Sequence, residues 1–77
     1  MDRELELQRL CEADDHIAIA ERVISKQMIE LEKLRSHGRD TKLAELTLQH
    51  CRDALEAMQN HRQNITKMIE QIDRGLA

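Results

Sequence analysis

The residues able to do chemistry are few. There are four histidines, two cysteines and a scatter of carboxylates. His16 and His61 form the most informative pair, because a chain folded back about residue 39 brings their imidazoles together. Glu12 lies one helical turn before His16, and Asp15 is its neighbour. Two imidazoles and a carboxylate are donors that suit a transition metal. The plainer reading is a pair of partly solvated histidines bordering a polar layer made by Arg62. The chain lacks an HExxH motif and the paired Glu-x-x-His ligands of a di-iron bundle. The expectation is therefore no metal ligand and no cofactor.

Cys11 and Cys51 are about 40 residues apart, and the same fold-back separates them by about 24 Å along the axis at 1.5 Å per residue. That distance excludes an intrachain disulfide. Cys51 falls on an apolar stripe, where a thiol packs as a small hydrophobe. Asp14-Asp15 is the one acidic doublet and reads as solvent-facing charge. Glu6/Arg9, Glu30/Lys33, Glu32/Arg35 and Glu70/Arg74 have the spacing of ordinary helix-surface pairs. Ser25 and Ser36 have no base at motif spacing, and no glycine-rich loop could cradle a phosphate. A two-helix hairpin also offers no concave pocket that excludes water. The chain is expected not to be an enzyme.

The elements that position these residues follow from composition and period. The 77 residues contain no aromatic and no proline, and glycine occurs only at positions 38 and 75. Leu, Ile, Ala, Met, Glu, Gln, Lys and Arg dominate, which points to an all-α chain broken at its centre. Without aromatics there is no platform on which a base could stack. The net charge of −3 leaves no basic footprint for DNA or an anionic membrane. No apolar run approaches the roughly 20 residues of a membrane helix. Met1 is followed by Asp-Arg-Glu rather than a cationic, then apolar, leader. The expected location is cytoplasmic, with both thiols reduced.

Leu10, Ala13, Ile17, Ala20, Ile24, Gln27, Leu31 and Leu34 recur at steps of three and four. That spacing is a heptad stripe with one polar member. Its register places Arg3 and Glu6 on the stripe, so the first nine residues are expected to fray. A second stripe runs through Ala44, Leu48, Cys51, Leu55, Met58, Arg62, Ile65, Ile69, Ile72 and Leu76, again with one polar member. Between them, Gly38 suits a left-handed helix end, and Asp40 or Thr41 suits the next N-cap. The two stripes mirror each other about residue 39. We read a single unit over 1–77: an antiparallel, coiled-coil-like two-helix hairpin with a first helix at about 2–37, a turn at 38–40 and a second helix at about 41–74. Folding pairs Leu34 with Ala44, Leu31 with Leu48 and Ile17 with Arg62; alternative a/d layering would shift these partners by half a heptad.

A hairpin of this size is poorly supplied with core. Apolar residues also lie off the stripes. Val23, Met28 and Met68 flank them, while Ile19, Ile29, Leu43 and Leu46 point further outward. These seven are the candidate interface residues, and self-association into a four-helix bundle is the economical expectation. The polar stripe members, Gln27 and Arg62, are candidates for fixing register, and the expected company of Arg62 is Glu21, on the opposing helix about one turn from Ile17.

The segments His16-Ile17-Ala18, Glu21-Arg22, Gln27, Gly38 with Asp40-Thr41, Ala44, and His61-Arg62 together resemble a group of small bacterial helical-hairpin proteins. Their pattern is close to H-[IV]-A-x-x-E-R, then G-x-D-T, then H-R, and the likeness covers residues 16–65. The resemblance implies a soluble bacterial hairpin and supplies no catalytic residue. The expected role is a structural, protein-interaction hairpin that forms a homodimer and docks a further protein partner, without nucleic acid or membrane. The alternative is a metal- or thiol-responsive sensor using His16 and His61 or the cysteines.

Overall fold

Strong helix formers and an unbroken three–four spacing give two long helices joined by a short turn. The computed structural model describes residues 2–76. Met1 and Ala77, which the 1–77 reading includes, lie outside the described residues. Helix α1 spans Arg3–Ser36 and α2 spans Lys42–Asp73; no strand occurs among the described residues. They pack antiparallel into a rod with Cα extents of 59 × 15 × 12 Å.

Each helix end has a local cause. Asp2 accepts from the Leu5 amide at 3.3 Å and opens α1. The α1 C-terminus closes in a Schellman turn: Gly38 N–H donates to the Arg35 carbonyl at 3.1 Å and Arg39 N–H to that of Leu34 at 2.9 Å. Gly38 sits at φ 65°, where a side chain would be strained. At the start of α2 the two N-cap candidates divide the work. Thr41 holds the capping position but its hydroxyl donates to Glu45, while the Asp40 carboxylate accepts from the Lys42 amide at 3.0 Å.

With Leu10 in α1 and Leu48 in α2 both labelled a, the stripes occupy positions a and d of two heptad series. Every stripe member from Leu10 to Ile72 is buried or half-buried, the polar Gln27 and Arg62 included. Leu76 departs from this and is exposed, because α2 ends at Asp73. Ala13, Leu31, Leu48 and Ile65 are the most buried apolar residues, yet among the described residues no side chain is completely enclosed. Leu31, Leu48 and Ile65 each contribute about 1.5–3 kcal/mol of burial.

The expected fraying of the first nine residues is corrected. The α1 helix runs from Arg3, and Glu6 continues the stripe at 7% exposure. Its carboxylate stays satisfied because Arg9 Nη1 donates to Oε1 at 2.7 Å. A charged residue here extends the packing because its partner lies one turn away on its own helix. Arg3 adds a second anchor by reaching across to Asp73.

Candidate functional site

Around each helix, position e lies beside a, while g lies beside d, with c beyond it. The packed stripe therefore has two unlike flanks. Among the described residues, three ion pairs join the helices on the a/e flank. Arg3 Nε donates to Asp73 Oδ1 at 2.6 Å, Arg62 Nε donates to Asp14 Oδ1, and Arg35 Nη2 lies 3.4 Å from Glu45 Oε1. In the first pair, the hydrogen bond from Arg3 holds the Asp73 carboxyl below its ordinary range, and the same bond raises Arg3.

Two of these pairs correct the sequence reading. Arg35 reaches Glu45 on α2 rather than Glu32 on its own helix, since both residues occupy e positions facing each other near the turn. Arg62, for which Glu21 was the expected company, meets Asp14 instead. Asp14 is thus an ion-pair partner as well as solvated charge. Glu6/Arg9 and Glu30/Lys33 pair as spaced, at 2.7 and 3.6 Å.

The d/g flank carries no interhelix ion pair among the described residues. It has a run of hollows instead. One of about 300 Å³ lies at mid-length, walled by His16, Ile19, Val23 and Met58 over Ala20, Cys51 and Ala54. A second shares His16, Ala54 and Met58 with it and adds Ala13, Ala57 and His61. A third continues toward the open end past Glu6, Arg9 and Glu12 to Ile65. All these residues occupy d, g or c. Together they make one groove, open to solvent on its outer side. The cause is residue size: alanine at 13, 20, 54 and 57 leaves space that leucine would fill.

His16 and His61 do come to one hollow, with Glu12 at its rim. Among the described residues, however, no group of three or more His, Cys, Asp or Glu side chains is placed to hold a metal ion. Cys51 is half-buried in the groove floor, whereas Cys11 is exposed, and both are free thiols. No described helix is long and apolar enough to cross a membrane.

The seven candidate interface residues fall on different sides. Ile19 and Val23 form the groove wall. Leu43, at c, and Met68, at g, belong to the same flank at its two ends; Leu43 is exposed and Met68 half-buried. Met28 occupies e, on the ion-paired flank, and Ile29 and Leu46 occupy f, facing away from the opposite helix; all three are exposed. Sequence reasoning placed Ala13 and Ala20 on the stripe but missed Ala54 and Ala57 and the space that the four alanines leave. Their signal was present in the position of small residues within the heptad, not in hydrophobicity.

No family model, curated protein or solved structure matches this chain.

Proposed function

We propose that this protein is a non-enzymatic interaction module, a helical hairpin that self-associates through its d/g flank. One observation carries the reading: a single flank is ion-paired and closed, and the other is an open apolar groove. The area supports it. A folded monomer of 9.0 kDa exposes about 4,900 Å² by the usual mass scaling. The hairpin exposes 5934 Å². The surplus, roughly 1,000 Å², is comparable to the roughly 800 Å² each partner buries in a standard interface.

A two-fold pairing of grooves gives a four-helix bundle and covers the half-buried Cys51, Met58 and Met68. In this reading the protein acts in the cytoplasm as a rigid rod-shaped homodimer, and exposed apolar residues outside the groove, among them Met28, Ile29 and Leu46, are left for a further protein partner. Light scattering coupled to size exclusion tests the dimer. A mass near 18 kDa, about twice the chain's 9.0 kDa, is expected at micromolar concentration. A monomer mass that holds as concentration rises refutes it.

A further inference from the structure

The order of charges along the groove flank specifies how two copies meet. On α2 the c and g positions from Leu43 to Gln71 carry no Lys, Arg, Asp or Glu. On α1 they do, and the signs are mirrored about Ile19. Arg9 and Glu30 are g residues at nearly equal distances on either side of it, and Glu12 and Lys26 are c residues at equal distances. The mid-length hollow lies at the same level, with Ile19 on its wall.

We infer that a second copy of this chain docks antiparallel on the d/g flank, α1 against α1, about a two-fold axis passing near Ile19 and Ala57. This rests on the self-association reading and deepens it by fixing the partner's direction. In this arrangement Arg9 of each copy faces Glu30 of the other, and Glu12 faces Lys26. Symmetry makes each contact twice. Arg9 already pairs with Glu6, and Lys33 with Glu30. Docking therefore joins two short ion pairs into a chain of four alternating charges at each end of the interface. Ile19 meets its own copy, and Ala57 does the same on α2, where neither brings a charge.

The other two-fold arrangement keeps both turns at the same end and sets α1 over α2. It would place Arg9 over Met68, Glu30 over Thr47, His16 over His61 and Lys26 over His50. No attractive charge pair forms. Electrostatic complementarity of this kind selects among alternative dockings more than it adds affinity.

The test has two parts, both on the full chain. The first is a spin-label distance between copies with a single label at Arg39→Cys, in a Cys11→Ser, Cys51→Ala background whose mass has been confirmed by light scattering. Antiparallel docking puts the two turns about 55–60 Å apart at 1.5 Å rise per residue, whereas the alternative puts them within about 20 Å. The second part is charge reversal. Glu12→Lys and Lys26→Glu, whose side chains make no ion pair within the chain among the described residues, are each expected to raise the dimer dissociation constant about tenfold, and the double variant to return it to within about threefold of wild type. Glu12 and Lys26 of one chain are about 21 Å apart along α1, so no contact within a chain could produce that rescue.

A long distance together with rescue supports the inference. A dimer with a short distance overturns it and leaves self-association standing. A long distance without rescue overturns the register about Ile19. A protein that is monomeric throughout overturns the proposed function and this inference together.

Discussion

Arg62 donates from Nε to Oδ1 of Asp14, across 48 positions of chain, and so joins an a position of α2 to an e position of α1. Arg3 and Asp73 repeat the relationship with the helices exchanged: the arginine is at a on α1 and the aspartate at e on α2. In both pairs an arginine starts from the packed stripe and turns its guanidinium to the same flank. The long stem packs within the stripe while the charge leaves it. Two arginines can therefore sit on an apolar stripe without burying a charge, and both close the flank opposite the groove.

Arg62 is accordingly expected to matter more for alignment than for stability. Its side chain is 41% exposed and that of Asp14 is 51% exposed. Exposed pairs contribute about 0–1 kcal/mol, so Asp14→Asn should cost no more than about 1 kcal/mol. Arg62→Leu should melt at or above the wild-type temperature while giving a less uniform oligomer, because a polar residue at a stripe position disfavours wrong registers. Arg62→Ala should melt below Arg62→Leu, since it removes the packed stem. Thermal melts and light scattering check all three. A large loss in Arg62→Leu matched by Asp14→Asn would make the pair a net source of stability.

Groove substitutions should separate association from folding. Ala54→Glu and Ile19→Glu place a carboxylate at the proposed contact and are expected to weaken the dimer by about tenfold or more. Helical circular dichroism should persist, because neither residue is on the packed stripe. Ile29→Glu and Leu46→Glu, at f positions, should leave the dimer mass unchanged. If the f-position variants dissociate the dimer and the groove variants do not, the interface lies on the outer faces.

The hairpin was readable from sequence because its cause is periodic: two stripes in phase, mirrored about a glycine, admit one simple packing. The residues that gave weak signals did so for physical reasons. Glu6 breaks an apolar pattern, yet an arginine one turn later satisfies it in place. Asp14, rather than Glu21, meets Arg62: both carboxylates occupy e positions of α1, and the guanidinium reaches the one two turns nearer the open end. The groove was invisible to hydrophobicity because it is made by what alanines leave empty. His16 and His61 were correctly placed together, but the neighbours that would complete a donor set are not assembled around them.

Gly38 is expected to be the most sensitive position in the turn. Its φ of 65° closes α1, and a Cβ there would meet nothing within 4 Å. The penalty for a side chain is therefore conformational alone. Gly38→Ala should cost about 1 kcal/mol, Gly38→Val more, and Gly38→Asn less, because asparagine tolerates the left-handed region. Denaturant midpoints will rank them. Equal stability of the valine and asparagine variants would show that the turn has adopted another conformation.

Chelation is expected to have no effect on the fold. His16 and His61 share a hollow, but packing among d positions holds the helices together around them. Helical circular dichroism and melting temperature should be unchanged by a chelator. A loss of several degrees that zinc restores would establish a metal-linked fold and revive the sensor reading.

The Arg3–Asp73 pair predicts how acid acts on the open end of the rod. The hydrogen bond from Arg3 lowers the Asp73 carboxyl below its ordinary value of 3.8, partly opposed by desolvation. A folded value below the unfolded one means that the unfolded chain binds the proton more readily. The pair's stabilisation is therefore fully present above the ordinary carboxylate value and is lost as pH falls through the depressed one. Arg3 is raised further from an already high value and stays charged throughout. Asp73 also stands at the C-terminal end of α2, where its charge opposes the helix dipole. A single Asp73→Asn change therefore mixes two effects of opposite sign, and a double-mutant cycle with Arg3→Gln isolates the pair. The coupling should be measurable at about pH 6, shrink with added salt, and decline as pH falls below the ordinary carboxylate range. Protection of the backbone amides in the first turns of α1, taken relative to the intrinsic exchange rate at each pH, should fall in the same acid range. Coupling that persists at low pH would mean that Arg3 is held by something other than the charge on Asp73.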